Sequence, residues 1–277
     1  MANSESLSGY LQNCKKYKKH NYKELASNEL EYLHKTDLAM LKEIKKVFEK
    51  HNIRFCAVGG TLLGAYTRER FIPWDEDIDI AVFEEDYERM IDALIDEVPS
   101  WIAVQCKKTD ENYYHEWIKV SDKNSIVYPN NGLYKNQGCW VDIYKLRKME
   151  RREVEFNIAL DHKAYLLRRL EINDIDKKEY DRRMAESDVE GRIKRFEIQS
   201  KDSDDTEEVY LIGTASKPYV ESKYVFPLKE YKFEDTTVTS FFDAQAYLQN
   251  HYGKNFRQLP PEEDRSIAIN KVEIKNK

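Results

Sequence analysis

The chain has 277 residues, 41% of them apolar and 35% charged, a size and composition that bury a substantial core and exclude a disordered protein. Its 45 basic and 51 acidic residues give a formal charge of -6, without the basic excess of a nucleic-acid binder, so no nucleic-acid partner is expected. No stretch approaches the roughly 18 consecutive apolar residues of a membrane span, and the opening MANSESLSGY lacks the apolar run of a secretory signal, which sets the expectation of a soluble cytoplasmic protein.

Residues 1–26 read as a basic leader in which Lys15, Lys16, Lys18 and Lys19 fall within five positions. Such a cluster suits peripheral contact with the anionic inner face of a membrane; a solvated leader is the competing reading. From Ser27, Leu30, Leu33, Leu41, Ile44, Val47 and Phe48 recur at helical spacing and predict an amphipathic helix ending near His51-Asn52. Arg54 to Val58 then predicts a short buried strand, followed by Gly59-Gly60-Thr61 and a short helix through Leu62, Leu63 and Tyr66. Beyond Pro73, Asp77-Ile-Asp-Ile-Ala-Val-Phe83 alternates acid with apolar residue, the period of a strand. A helix is predicted over Glu84 to Val98, and strands over 102–106, 116–120, 125–128 and 140–146, giving an α/β core over 27–148 with about five strands. Residues 149–277 predict a C-terminal lobe, mostly helical through Phe196, then a polar acidic loop at 201–208 and a mixed remainder. The four cysteines, Cys14, Cys56, Cys106 and Cys139, show neither paired spacing nor neighbouring histidines, so neither a disulfide framework nor a zinc site is expected.

Only nine glycines occur in the chain, yet Gly59, Gly60 and Gly64 fall within six positions between a strand and a helix. Glycine there lets backbone N–H groups approach a phosphate, and a helix N-terminus favours the anion; a tight turn without a ligand is the plainer reading. The acids downstream of the turn favour the phosphate. Asp77 and Asp79, two apart on a strand, point to one face, where two carboxylates repel unless a cation lies between them. Mg²⁺, or Mn²⁺ in its place, binds oxygen ligands and shares them with substrate phosphates. In Trp140-Val-Asp-Ile-Tyr144 the alternation sets Trp140, Asp142 and Tyr144 on one face, making Asp142 the candidate third acid unless it is an edge residue facing water.

Residues 51–83, HNIRFCAVGGTLLGAYTRERFIPWDEDIDIAVF, resemble the signature of the LicD and fukutin-related family, and Trp140-Val-Asp-Ile-Tyr144, Lys232-Phe-Glu-Asp235, Tyr247 to Gly253 and Leu259-Pro-Pro261 extend the likeness. The resemblance implies a nucleotidyltransferase-type mixed sheet flanked by helices. It also implies transfer of phosphocholine, or of ribitol or glycerol phosphate, from a CDP-linked donor such as CDP-choline to a hydroxyl of a cell-surface glycan precursor, lipid-linked or free, with release of CMP. On that pattern Asp77, Asp79 and Asp142 are the catalytic, metal-holding acids. Asp142 either binds metal or takes the proton of the attacking hydroxyl. Gly59, Gly60, Thr61 and Arg68 bind the donor phosphates, although Thr67-Arg68-Glu69-Arg70 departs from the Arg and Gly usual there. Asp235 and Lys254 depart from a glycine and an acid, which bears on the acceptor. Trp74 and Trp140 are candidate donor-pocket aromatics for a quaternary ammonium, packing being the alternative for either. His115 and His162 have no spacing that singles them out. Two other functions fit the same acids: nucleotidyl transfer from an NTP, and a silent module that binds nucleotide or glycan phosphate.

Overall fold

A computed structural model describes residues 20–21, 27–128, 133, 135–199, 205–213 and 219–275. The lysine-rich leader lies outside the described residues, as does part of the acidic loop. In chain order, β1 (His20–Asn21) precedes α1 (Ser27–Lys50), β2 (Phe55–Ala57), α2 (Gly59–Arg68), β3 (Ile78–Phe83), α3 (Glu84–Glu97), β4 (Ile102–Gln105), β5 (Ile118–Asp122), β6 (Ser125–Tyr128) and β7 (Trp140–Glu150). Three helices come next, α4 (Val154–Glu171), α5 (Lys177–Glu186) and α6 (Val189–Gln199). The chain then forms β8 (Glu208–Leu211), β9 (Tyr219–Glu221), β10 (Lys229–Phe233), β11 (Thr236–Ser240), α7 (Ala244–Tyr252), β12 (Ser266–Ile267) and β13 (Lys271–Ile274).

The central sheet runs β2-β3-β7-β5-β4, with β3 and β7 parallel and the other pairs antiparallel. Its strands are apolar on one face, and α1 fills that face with Leu33, Met40, Leu41, Ile44, Val47 and Phe48, as its 3.6-residue period requires. Helix α3 buries Tyr87, Met90, Ile91 and Leu94. The Tyr87 hydroxyl donates to Ile143 O at 2.9 Å and accepts from Ile118 N at 3.2 Å, so one side chain ties α3 to both β5 and β7. Because Ile118 and Ile143 are register partners, this tie fixes the end of the β5–β7 ladder next to Asp142.

Past residue 149 the chain builds a three-helix layer and then returns to the core. The predicted strand at 140–146 extends to Glu150, because Arg147–Glu150 pairs with β8, which in turn pairs with β9. The β10–β11 hairpin covers the outer edge of the sheet: Thr239 and Ser240 hydroxyls donate to Phe55 O at 2.6 Å and Ala57 O at 2.7 Å on β2. An exposed sheet edge with open carbonyls invites pairing with another chain, and these hydroxyls close it. β13 pairs with β6, and Phe233, Val238, Phe241, Tyr247 and Leu248 join the same hydrophobic core as α1. Among the described residues no helix is long and apolar enough to cross a membrane. Cys56, Cys106 and Cys139 are buried free thiols.

Gly64 explains why α2 sits so close to the segment that carries the acids. A Cβ there would lie 3.2 Å from Ile72 N and closer still to the Arg70 carbonyl, both rigid backbone. Gly64→Ala should therefore push residues 70–72 off α2 and destabilise the fold by about 1–3 kcal/mol, the usual cost of overpacking. Urea unfolding measures it; an unchanged midpoint would show that this contact is not tight.

Candidate active site

Two parallel strands and the loop before one of them bring the acids together. Asp77 is the residue before β3, Asp79 lies on β3, and the parallel register sets Asp142 of β7 opposite Asp79. One carboxylate oxygen from each lies within 4.8 Å of the others. Asp142 is buried, whereas Asp77 and Asp79 are half-buried. The three acids predicted from spacing and alternation thus form one cluster.

Hydrogen bonds position each of them. Trp140 Nε1 donates to Asp77 Oδ2 at 2.9 Å, so this tryptophan, expected to line the donor pocket, holds an acid in place. The Tyr144 hydroxyl is bonded to Asp79. Lys119, the register partner of Asp142 on β5, sets its Nζ 2.8 Å from Asp142 Oδ1, yet that oxygen accepts no aligned hydrogen bond among the described residues. Thr61 orients the backbone instead, its Oγ1 accepting from Asp79 N at 2.8 Å.

The glycine turn meets the acids directly. Gly59 has a positive φ of +55° and a Cβ there would lie 2.9 Å from Asp79 Oδ2; one on Gly60 would lie 2.9 Å from Asp75 Oδ1. These glycines therefore make room for Asp79 and Asp75 as well as baring backbone N–H groups. Tyr247 Oη of α7 accepts the Gly59 N–H at 3.2 Å. α2 starts here without a side-chain cap, leaving the N–H groups of its first turn as the natural anion contacts. Arg68 is the last residue of this ten-residue helix, about 12 Å along its axis from Gly60. Trp74 carries the Arg265 guanidinium over its ring at 4.9 Å, and Glu76 Oε2 accepts the Ala268 N–H at 2.6 Å, so the acid-bearing loop is bound to the chain's last described turn.

The electrostatics are those of crowded like charges. Burial first, then Asp79, Asp142, Asp75 and Glu76, raise Asp77 well above the ordinary carboxylate range. Asp79 is pushed up to about 7 by burial and by Asp142, against the lowering effect of Lys119 and Tyr144. The same acids, after burial, hold the Tyr144 phenol well above its usual range. Tyr252 is raised likewise by burial, Tyr247, Asp75, Asp79 and Asp77. Three carboxylates within reach of one ion, one with an orphan oxygen, and no sulfur or imidazole among them, fit a hard divalent cation such as Mg²⁺ or Mn²⁺.

Several residues here went unread in the sequence. Lys119 sits in the alternation Ile118-Lys119-Val120, a visible signal whose partner strand was not. Tyr247 and Tyr252 stood in the sequence only within the segment that extends the family likeness, with no role read for either. Asp37 breaks the apolar stripe of α1: it is fully buried, neither carboxylate oxygen has a hydrogen-bond partner among the described residues, and burial raises it well above the usual range. His115 and His162 belong to an aromatic cluster with Tyr114, Trp117 and Tyr165, and burial lowers both.

The crowded acids make the fold sensitive to pH. Unfolded, Asp79 titrates near the ordinary aspartate value of about 3.9; folded and without metal it binds its proton more tightly. The stability it contributes is present at low pH and lost as pH rises from about 4 through 7. The metal-free protein should therefore lose thermal stability between pH 5 and 7.5 more steeply than Asp79→Asn does, and Mn²⁺ should restore the wild type at pH 7.5 but hardly at pH 5. Scanning fluorimetry reads both slopes; equal slopes would remove Asp79 from the acid cluster's strain.

A family model of the LicD/FKTN/FKRP nucleotidyltransferase domain matches residues 52–166, the stretch from the glycine turn through Asp142 into α4. The chain is similar to the lipopolysaccharide cholinephosphotransferase LicD of Haemophilus influenzae, 24% identical over 247 residues that cover 82% of this chain and 91% of that protein. It also resembles an uncharacterized protein of Rickettsia prowazekii, 29% identical over 98 residues, 33% of this chain and 36% of that one. The turn, the acids and the sheet that aligns them lie inside the stretch that matches the LicD/FKTN/FKRP nucleotidyltransferase domain.

Proposed function

We propose that this protein transfers a phospho-alcohol group, phosphocholine foremost, from a CDP-linked donor to a hydroxyl of a glycan, releasing CMP. The observation that carries the reading is the convergence of Asp77, Asp79 and Asp142 beside the uncapped N-terminus of α2. The relative in Haemophilus is named for cholinephosphate transfer to lipopolysaccharide, which supports phosphocholine as cargo and a glycan as acceptor.

In this reaction the acceptor oxygen forms a new bond to the donor's distal phosphorus, the diphosphate bridge breaks, and CMP takes the bond's electron pair. A divalent ion held by Asp77, Asp79 and Asp142 would supply charge neutralisation for the diphosphate and the leaving phosphate. The protein's own groups do the rest. The Gly60 and Thr61 N–H groups present donors to phosphate oxygens, fixed before the substrate arrives and therefore without reorganisation in the transition state. Trp140 and Tyr144 hold the acids in register. Asp142, buried on the strand between Asp79 and Lys119, is read as a metal ligand whose carboxylate also faces the incoming hydroxyl's proton.

Incubation with CDP-choline, CDP-ribitol or CDP-glycerol, Mg²⁺ or Mn²⁺ and a glycan acceptor should release CMP in an acceptor-dependent way. Pyrophosphate released from an NTP instead would assign nucleotidyl transfer, and donors left intact with every acceptor would favour a binding module. Asp77→Asn and Asp142→Asn should stay folded and lose at least about 10²-fold in turnover, the scale of removing an electrostatic contact to a developing charge. Retention of turnover by Asp142→Asn with unchanged Mn²⁺ affinity would place the third acid elsewhere.

A further inference from the structure

Lys119 is buried, its side chain 10% exposed, and among the described residues it provides the site's one ion pair to the acid cluster. Its ammonium lies 2.8 Å from Asp142 Oδ1 and 4.2 Å above the Trp140 ring. Trp140 in turn donates to Asp77 at 2.9 Å. The lysine thus meets Asp142 directly and Asp77 only through Trp140, on the sheet face that carries the acids, because β5 and β7 pair antiparallel with Lys119 opposite Asp142.

An ammonium has three N–H donors, and Asp142 takes at most one of them along this contact. The pair is also poorly aligned, since Asp142 Oδ1 remains without a proper hydrogen bond. Replacing both members of a buried ion pair by apolar groups is often neutral, so the burial of the Lys119–Asp142 pair is weak evidence that it is there for stability, although removing the lysine alone leaves Asp142 unpaired. Charge gives the stronger argument. Three carboxylates carry three negative charges, a divalent ion offsets two, and a donor diphosphate adds at least two more. Without Lys119 the loaded site is left with an excess of three or more negative charges, and no other Lys or Arg among the described residues forms an ion pair with Asp77, Asp79 or Asp142.

We propose that Lys119 is a donor-binding residue: its ammonium offsets Asp142 in the free protein and donates to a phosphate oxygen of the diphosphate once a divalent ion occupies the acids. This rests on the reading of the site as one for a diphosphate-linked donor, and inorganic pyrophosphate tests it without the alcohol or the base.

Lys119→Met keeps the aliphatic stem over Trp140 and removes the charge. Mn²⁺ affinity, followed by electron paramagnetic resonance, should stay equal or become tighter, because a positive charge leaves the cation's own site. At saturating Mn²⁺, pyrophosphate and CDP-choline should bind about 10- to 100-fold more weakly by calorimetry, the loss of one charge-assisted hydrogen bond. Lys119→Arg should recover most of that loss. Unchanged pyrophosphate affinity in Lys119→Met would overturn the proposal, and so would a fall in Mn²⁺ affinity, which would make Lys119 a counter-ion that merely orders Asp142. Should Lys119→Met not fold, the wild type answers: the Lys119 ¹⁵N-ammonium resonance, assigned by its absence in Lys119→Arg, should move when pyrophosphate is added to Mg²⁺-loaded protein, and an unmoved resonance sinks the idea. A wild type that binds pyrophosphate but not CDP-choline would refute the donor identity while leaving the role of Lys119 intact.

Discussion

Repulsion among three carboxylates is the condition around which this molecule is built. Oxygens of Asp77, Asp79 and Asp142 lie within 4.8 Å of each other. At such a distance two unit charges repel by about 1 kcal/mol in water and by several times that near protein. Flexible loops would relax the strain by swinging the acids apart. Here Asp79 and Asp142 are register partners on adjacent parallel strands whose neighbouring Ile78, Ile80, Val141 and Ile143 are fully buried, so the backbone does not yield. The sheet, the tie from Tyr87 and the pairing with β5 hold the acids close in spite of that repulsion.

The turn at Gly59-Gly60 answers to the same condition. Its glycines admit Asp79 and Asp75 close to the backbone, so the start of α2, with its positive dipole end, lies against negative groups. Helix terminus, lysine and indole N–H are three partial replies to one excess of charge. The helix terminus and the lysine keep further N–H donors beyond these contacts, whereas the single indole N–H is taken by Asp77.

Much of this was legible in the sequence because it is local. α1 declared itself by apolar spacing, β3 by alternation of acid and apolar residue, and Asp142 by being the polar exception in its strand. What escaped depends on pairing across distance. Lys119 becomes meaningful only when β5 is known to lie beside β7, and a lysine in a strand is by itself ordinary. The continuation of β7 to Glu150 was hidden because Arg147, Lys148 and Glu150 are polar; their partner, β8, comes some sixty residues later. Asp37 was visible as an acid inside an apolar stripe, yet periodicity averages over one exception. Arg68 was chosen by family pattern, and the length of α2 now sets it at the end remote from the glycine turn.

The bond from Gly59 N–H to Tyr247 spans 188 residues of chain. On a ribosome elongating at 5–20 residues per second, roughly ten to forty seconds separate the emergence of Gly59 from that of Tyr247. During that interval β2 also lacks the Thr239 and Ser240 hydroxyls that close its edge. The nascent chain thus presents acids without their finished frame and a sheet without its border. The Gly59 turn gains its Tyr247 contact only once α7 has been made.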